Sequence, residues 1–317
     1  MSCNWLRRAA LVAACASAFL LVACGSGSTE SQLKPVRIVS FGDGFSDLGQ
    51  TGSRYTVNDG SVNIWTHEVA TGFGLPLVTA SAGGKSYAVG NARVNSKPDA
   101  AGNSATLTVK EQVDSFLASD TIGPTDLFLV GTGIGDIVAE MGRVSAGTQT
   151  SAQALVNVRQ AGTDLGAQVR RLVGAGGKFI AVAGPYNLGR SPWAIAIGQT
   201  ALLLELSSKF NEGFLVSVVD LGANVLYVDA ALQFNLETGV PSVYSLTDVT
   251  SPACTSVDPG PGIGTGNGQV NSALCTTGTL LPGINYTTYL FADRIYPTPQ
   301  GQRLFGDYAY SRIRSRW

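Results

Sequence analysis

The stretch "RIVSFGDGFSDLGQ", residues 37–50, decides how the rest of the chain is read. It opens as a strand covered on both faces and runs into a glycine-bracketed acidic turn, the place where α/β enzymes put a nucleophile. At the centre of that turn stands Gly44, which has no side chain to react with.

Further along the chain, "DLFLVGTG", "KFIAVAG" and "NVLYVDA" have the same continuous, β-branched apolar character. Between them, "ALVNVRQAGTDLGAQVRRLVGAG" carries apolar residues at helical spacing, with a stop at Gly174, Gly176 and Gly177. "WAIAIGQTALLLELSSKFNEGF" reads as a second long helix, and "NIWTHEVATGFG" as a short one. This alternation predicts an α/β fold, a parallel sheet between helix layers. In such sheets the working residues gather at the carboxyl ends of the strands. Three strand ends here carry glycine with acid: "FGDGFSD", "VGTGIGD" and the "DA" after "VLY".

Residues 1–23 have the form of a signal peptide, with Arg7 and Arg8 before an apolar run too short to be a convincing spanning helix. The tetrapeptide "LVAC" at 21–24 resembles a bacterial lipobox, whose cysteine is lipidated and becomes the new N-terminus. The competing reading is an ordinary signal peptide with a chance cysteine. On the lipobox reading Cys24 is acylated and residues 24–36, small and polar, form a flexible tether to a folded domain at 37–317. The expected location is the bacterial cell envelope, held to a membrane through the lipid. Gly25 after Cys24 resembles the pattern of lipoproteins sent to the outer membrane.

With a formal net charge of -1 and its 21 Lys and Arg dispersed, the chain shows no electrostatic footprint for nucleic acid. Once Cys3 and Cys15 are removed and Cys24 acylated, Cys254 and Cys275 remain in an oxidising setting, and a disulfide is expected over two free thiols. They have no histidine or further cysteine to make a metal site. The segment they close includes "DPGPGIGTGNGQ", too rich in Gly and Pro for a helix or central strand. Asp43, Asp47, Asp136 and Asp293 raise a hard-cation site, against the reading that they cap helices and form turns. No metal and no cofactor is expected.

"FGDGFSDLGQ", "SYAVGNARV" at 86–94, "VGTGIGD" at 130–136 and "YLFADRIYPT" at 289–298 fall in the order and spacing of the GDSL, or SGNH, ester hydrolases. The chain resembles the exported lipase/esterase branch of that family across residues 37–317. The resemblance implies a three-layer α/β/α flavodoxin-like fold with a central parallel sheet, and ester hydrolysis by a serine nucleophile.

Set on the family's blocks, the nucleophilic serine falls on Gly44, so no acyl-enzyme forms there. The oxyanion-hole glycine falls on Gly90, whose N–H could still donate. The oxyanion-hole asparagine falls on Gly135, and losing one such donor typically costs about 10²–10³ in rate. The triad acid is kept as Asp293, but the base has become Tyr296. A phenol is only about one part in a thousand ionised at neutral pH. Losing nucleophile and base together costs about 10⁶ in rate. The single histidine of the chain, His67, lies in the short helix and reads as a surface or helix-face residue.

Three functional readings follow. The leading one is a disabled ester hydrolase homologue, lipid-anchored, keeping a cleft for an ester, acyl or glycan ligand. The second is an active esterase with a rearranged site, using Ser46 or an activated water. In a helix Ser46 would lie about 200° around from position 44, which makes it a capping or buried hydrogen-bonded serine. The third is a purely structural or partner-binding lipoprotein. On the first reading Gly44→Ser alone stays inactive, and adding Tyr296→His and Gly135→Asn restores hydrolysis.

Overall fold

A computed structural model describes residues 31–62 and 64–317. The signal peptide, Cys24 and most of the tether lie outside the described residues. The folded unit spans Leu33–Trp317. Leu33 is buried and donates its N–H to the Trp317 carbonyl at 3.2 Å, so the fold begins four residues before the sequence boundary at 37.

In chain order the elements are β1 (Ile38–Gly42), α1 (Trp65–Gly72), α2 (Val109–Ser119), β2 (Leu127–Gly131), α3 (Ile134–Ser145), α4 (Ser151–Gly174), β3 (Phe179–Ala183), α5 (Pro192–Ala196), α6 (Thr200–Ser217), β4 (Val225–Tyr227), α7 (Ala230–Gly239), β5 (Asp248–Pro252), β6 (Val257–Asp258), β7 (Gln269–Val270), β8 (Tyr289–Phe291) and α8 (Pro299–Arg316). The first four strands form one sheet in the order β1-β2-β3-β4. All its pairs are parallel, with Ile38 opposite Leu127, Leu127 opposite Phe179 and Ile180 opposite Val225. Every residue of β1 and β2 is buried, which is why these segments show no polar alternation.

Several helices start where side-chain oxygens satisfy their first amides. Thr108 and Glu111 form a reciprocal capping box at α2, Thr150 caps α4, and Thr298 caps α8 ahead of Pro299. Helices α4 and α6 approach closely through glycine. A Cβ on Gly162 would lie 2.0 Å from the Phe210 carbonyl oxygen, and one on Gly213 would lie 2.1 Å from that of Arg159. The segment expected as one helix from Trp193 is two, α5 and α6, because Gly198 takes φ +66 and interrupts the helical ladder.

Cys254 and Cys275 are disulfide-bonded, with Cα atoms 5.9 Å apart. The Gly- and Pro-rich segment between them carries the two-residue antiparallel pair β6–β7 and a 3-10 turn at Ser272–Leu274. β5 pairs in parallel with β8, which carries the chain toward Asp293.

Candidate functional site

Strand β1 delivers residues 43–47 to the carboxyl edge of the sheet as a turn, not a helix, so the helical rotation expected for Ser46 does not apply. Gly42 takes φ +151 and lies against β2, where a Cβ would sit 2.0 Å from the Gly131 oxygen. Ser46 is fully buried. Its Oγ donates to the Gly131 carbonyl at 3.0 Å and accepts from the Trp65 indole N–H at 3.0 Å. It is a fastener between β1, β2 and α1, and its oxygen faces no solvent.

The four acids do the work of turn and cap formers. Asp43 accepts from the N–H groups of Phe45 at 3.0 Å, Gly133 and Ile134 at 3.0 Å, and Gly135 at 3.4 Å, which ties the β1 turn to the N-terminus of α3. Burial pushes its pKa up to about 6 against the pull of those amides. Asp47 accepts from Gly49 and Gln50 at 2.9 and 2.7 Å, and from Gly90 N–H at 2.8 Å; burial raises it to about 6 as well. Gly90 N–H is therefore committed to a carboxylate, which corrects the expectation that it remains free for an oxyanion. Asp136 accepts from Val94 N–H at 2.9 Å and from Arg93 at 3.3 Å, and burial raises it to about 6. Each carboxylate is spent on its own set of donors, which leaves no common cation cradle.

Asp293 is likewise turned to the backbone. It accepts from Ser272 N–H at 3.0 Å, Ile295 N–H at 2.7 Å and Tyr296 N–H at 2.6 Å. Burial raises its pKa in spite of these bonds. The retained acid holds the 293–296 turn in shape, helped by the Tyr186 hydroxyl, which donates to the Ile295 carbonyl at 2.6 Å.

That turn aims Tyr296 at Gly44, where the sequence blocks would put the nucleophile. A Cβ built on Gly44 would lie 2.8 Å from both Cζ and Oη of Tyr296. The phenol tip fills the space a serine would use, and Tyr296 is 1% exposed. Against its ring packs Tyr55, centroids 5.0 Å apart, and a Cβ on Gly90 would lie 2.1 Å from the Tyr55 Oη. At the third slot a Cβ on Gly135 would lie 2.2 Å from the backbone oxygen of Ala92. Gly44, Gly90, Gly135 and Tyr296 are thus brought together at one strand edge, all of them buried. Burial pushes both phenols above the usual tyrosine range, and neighbouring Asp43 and Asp293 add to this at Tyr296, so neither is a base at neutral pH.

The family model for GDSL-like lipase/acylhydrolase matches residues 38–309, from the first residue of β1 into α8. The chain belongs to that family. Among curated relatives, an uncharacterized protein in the trpE-trpG intergenic region of Pseudomonas putida is 28% identical over 177 residues, 52% of this chain and 27% of that protein. The matched region thus spans about a quarter of that relative's length. A solved G-D-S-L lipolytic protein from Veillonella parvula is 12% identical, covering 87% of this chain and 96% of its own at a TM-score of 0.45. Est24, a carbohydrate acetylesterase from Sinorhizobium meliloti, is 14% identical, covering 89% of this chain and 99% of its own at 0.47.

Three residues of this GDSL site escape a reading of the sequence. Tyr55 sits in the polar run "GSRYTVNDG", where nothing signals a partner at Gly90. Trp65 and Tyr186 read as ordinary core aromatics, and only their polar tips, on Ser46 and Ile295, show their part. His67 is half-buried on α1, with its pKa lowered by burial and by nearby Arg54; no hydrogen bond joins it to Asp293 among the described residues.

Proposed function

We propose that this protein is a lipid-anchored envelope member of the GDSL family whose ester hydrolase centre has been dismantled and filled. The supporting observation is the seating of the Tyr296 phenol where a residue-44 side chain would stand. A serine route needs an attacking oxygen, a base to take its proton and donors for the oxyanion. Here the oxygen is missing, the base position is a neutral phenol and the Gly90 amide is bonded to Asp47. Any ester, acyl or glycan ligand is held outside the filled slot. The rearranged-esterase reading through Ser46 fits poorly with a hydroxyl that is 0% exposed and bonded on both sides.

The test is turnover of short and long p-nitrophenyl esters by purified protein. The expected rate matches that of Asp293→Ala, and a rate well above it overturns the reading. The anchor is tested separately by palmitate labelling in cells, expected for the native chain and lost in Cys24→Ala.

A further inference from the structure

β4 is one of the two outer strands of the sheet. Its ladder to β3 is bounded by Ile180 N–H to Asn224 O at 3.0 Å and Val228 N–H to Val182 O at 2.9 Å. With Val225 opposite Ile180 and Tyr227 opposite Val182, it is Asn224, Leu226 and Val228 that face β3. The N–H and C=O groups of Val225 and Tyr227 therefore turn outward, and no hydrogen bond reaches them among the described residues. Such an edge is a template for another strand.

A cavity of about 630 Å³ adjoins this edge, walled by Leu204, Leu215 and Val216 of α6 and by Tyr227, Asp229 and Asn235. The three α6 side chains are 49, 42 and 60% exposed, an apolar wall left facing water. Charge in the groove is uneven. Glu212 is paired with Lys209 and Arg159, whereas Asp229 gives one oxygen to Leu232 N–H at 2.9 Å and has no ion pair among the described residues.

We propose that this groove receives an extended peptide segment of a partner protein, added as a strand along β4. Every second side chain of that segment is apolar and lies on the α6 wall, and a lysine or arginine faces Asp229. Outward amides beside an apolar wall call for a ligand that has both backbone donors and alternating side chains. A bilayer supplies no partner for those amides. The groove of a second copy is lined by Glu212 and Asp229 with no lysine or arginine, so it offers no cation to face Asp229. The site needs neither an ester nor the Gly44 slot, so it stands whether or not the hydrolase centre is inert.

The experiment screens the full chain against an immobilised hexapeptide library with valine, leucine or threonine at alternate positions and a terminal lysine. The best binder is labelled with fluorescein, titrated, and followed by hydrogen–deuterium exchange. Saturable binding is expected, with slowed exchange at Val225 and Tyr227. Val216→Lys and Asp229→Asn are each expected to weaken it about tenfold. Val216 is exposed and asparagine keeps the α7 cap, so both variants stay folded. Three outcomes overturn the proposal: no saturable binder, binding that survives both substitutions, or protection confined to another surface. So does a concentration-dependent dimer, or binding to phosphatidylethanolamine vesicles, that Val216→Lys abolishes in the absence of peptide binding.

Discussion

The Tyr296 phenol and the Cα of Gly44 are in direct opposition: a Cβ on Gly44 meets Cζ and Oη of that ring at 2.8 Å. On the proposed reading, one aromatic side chain both stands in place of the base and blocks the nucleophile position. Gly44→Ser is expected to destabilise the fold by about 1–3 kcal/mol through overpacking, with no gain in hydrolysis. In the double variant Gly44→Ser/Tyr296→His the smaller ring relieves part of that cost. Urea denaturation of the two variants checks both statements.

Position 135 behaves differently, because the obstacle there is backbone. With a Cβ on Gly135 only 2.2 Å from the Ala92 oxygen, Gly135→Asn forces the 90–94 segment to move. A loss of more than about 2 kcal/mol is expected. The triple change with Gly44→Ser and Tyr296→His, expected from sequence to restore hydrolysis, is expected on this geometry to fail at 135. Comparing midpoints of the double and triple variants tests this.

A pH dependence follows from Glu237, which is fully buried in α7. One of its oxygens accepts from Gln233 Nε2 at 2.9 Å, and the other has no hydrogen-bond partner among the described residues. Burial pushes its pKa to about 8. The unfolded value is about 4.3, so between the two the native state keeps a proton that the unfolded chain has lost. The stability from this group is full below the unfolded pKa and is lost as pH rises through the folded one. Glu237→Gln should match the native Tm near pH 4 and exceed it near pH 8. A difference independent of pH contradicts this.

The Cys254–Cys275 disulfide closes a segment with a sequence separation of 21, and Ser272 inside it donates to Asp293. The double change Cys254→Ser/Cys275→Ser is expected to cost about 3 kcal/mol. It should also speed amide exchange at Ile295 and Tyr296, whose N–H groups depend on the placement of Asp293. Exchange mass spectrometry at those two amides is the check.

Much of this architecture was legible in the sequence because its signals are local. The unbroken apolar runs at β1, β2 and β3 and the helical spacing along α4 act within a few residues. The substituted slots at 44, 135 and 296 could be placed because the flanking blocks kept their spacing. What fills them could not. The approach of Tyr55 to Gly90 joins residues 35 apart, across α1 and the loops on either side of it, and only the folded chain sets their distance. The commitment of the Gly90 amide to Asp47 was hidden for the same reason. The break at Gly198 went unread because a lone glycine in an apolar helical pattern is often tolerated.

On the proposed reading no side-chain oxygen at this site can be acylated. Intact-mass spectrometry after exposure to a fluorophosphonate ester tests it most directly, with peptide mapping of any adduct. An unchanged mass is predicted for the wild-type protein. A single added phosphonyl group on Ser46, or on any residue of the 43–47 turn, contradicts the account.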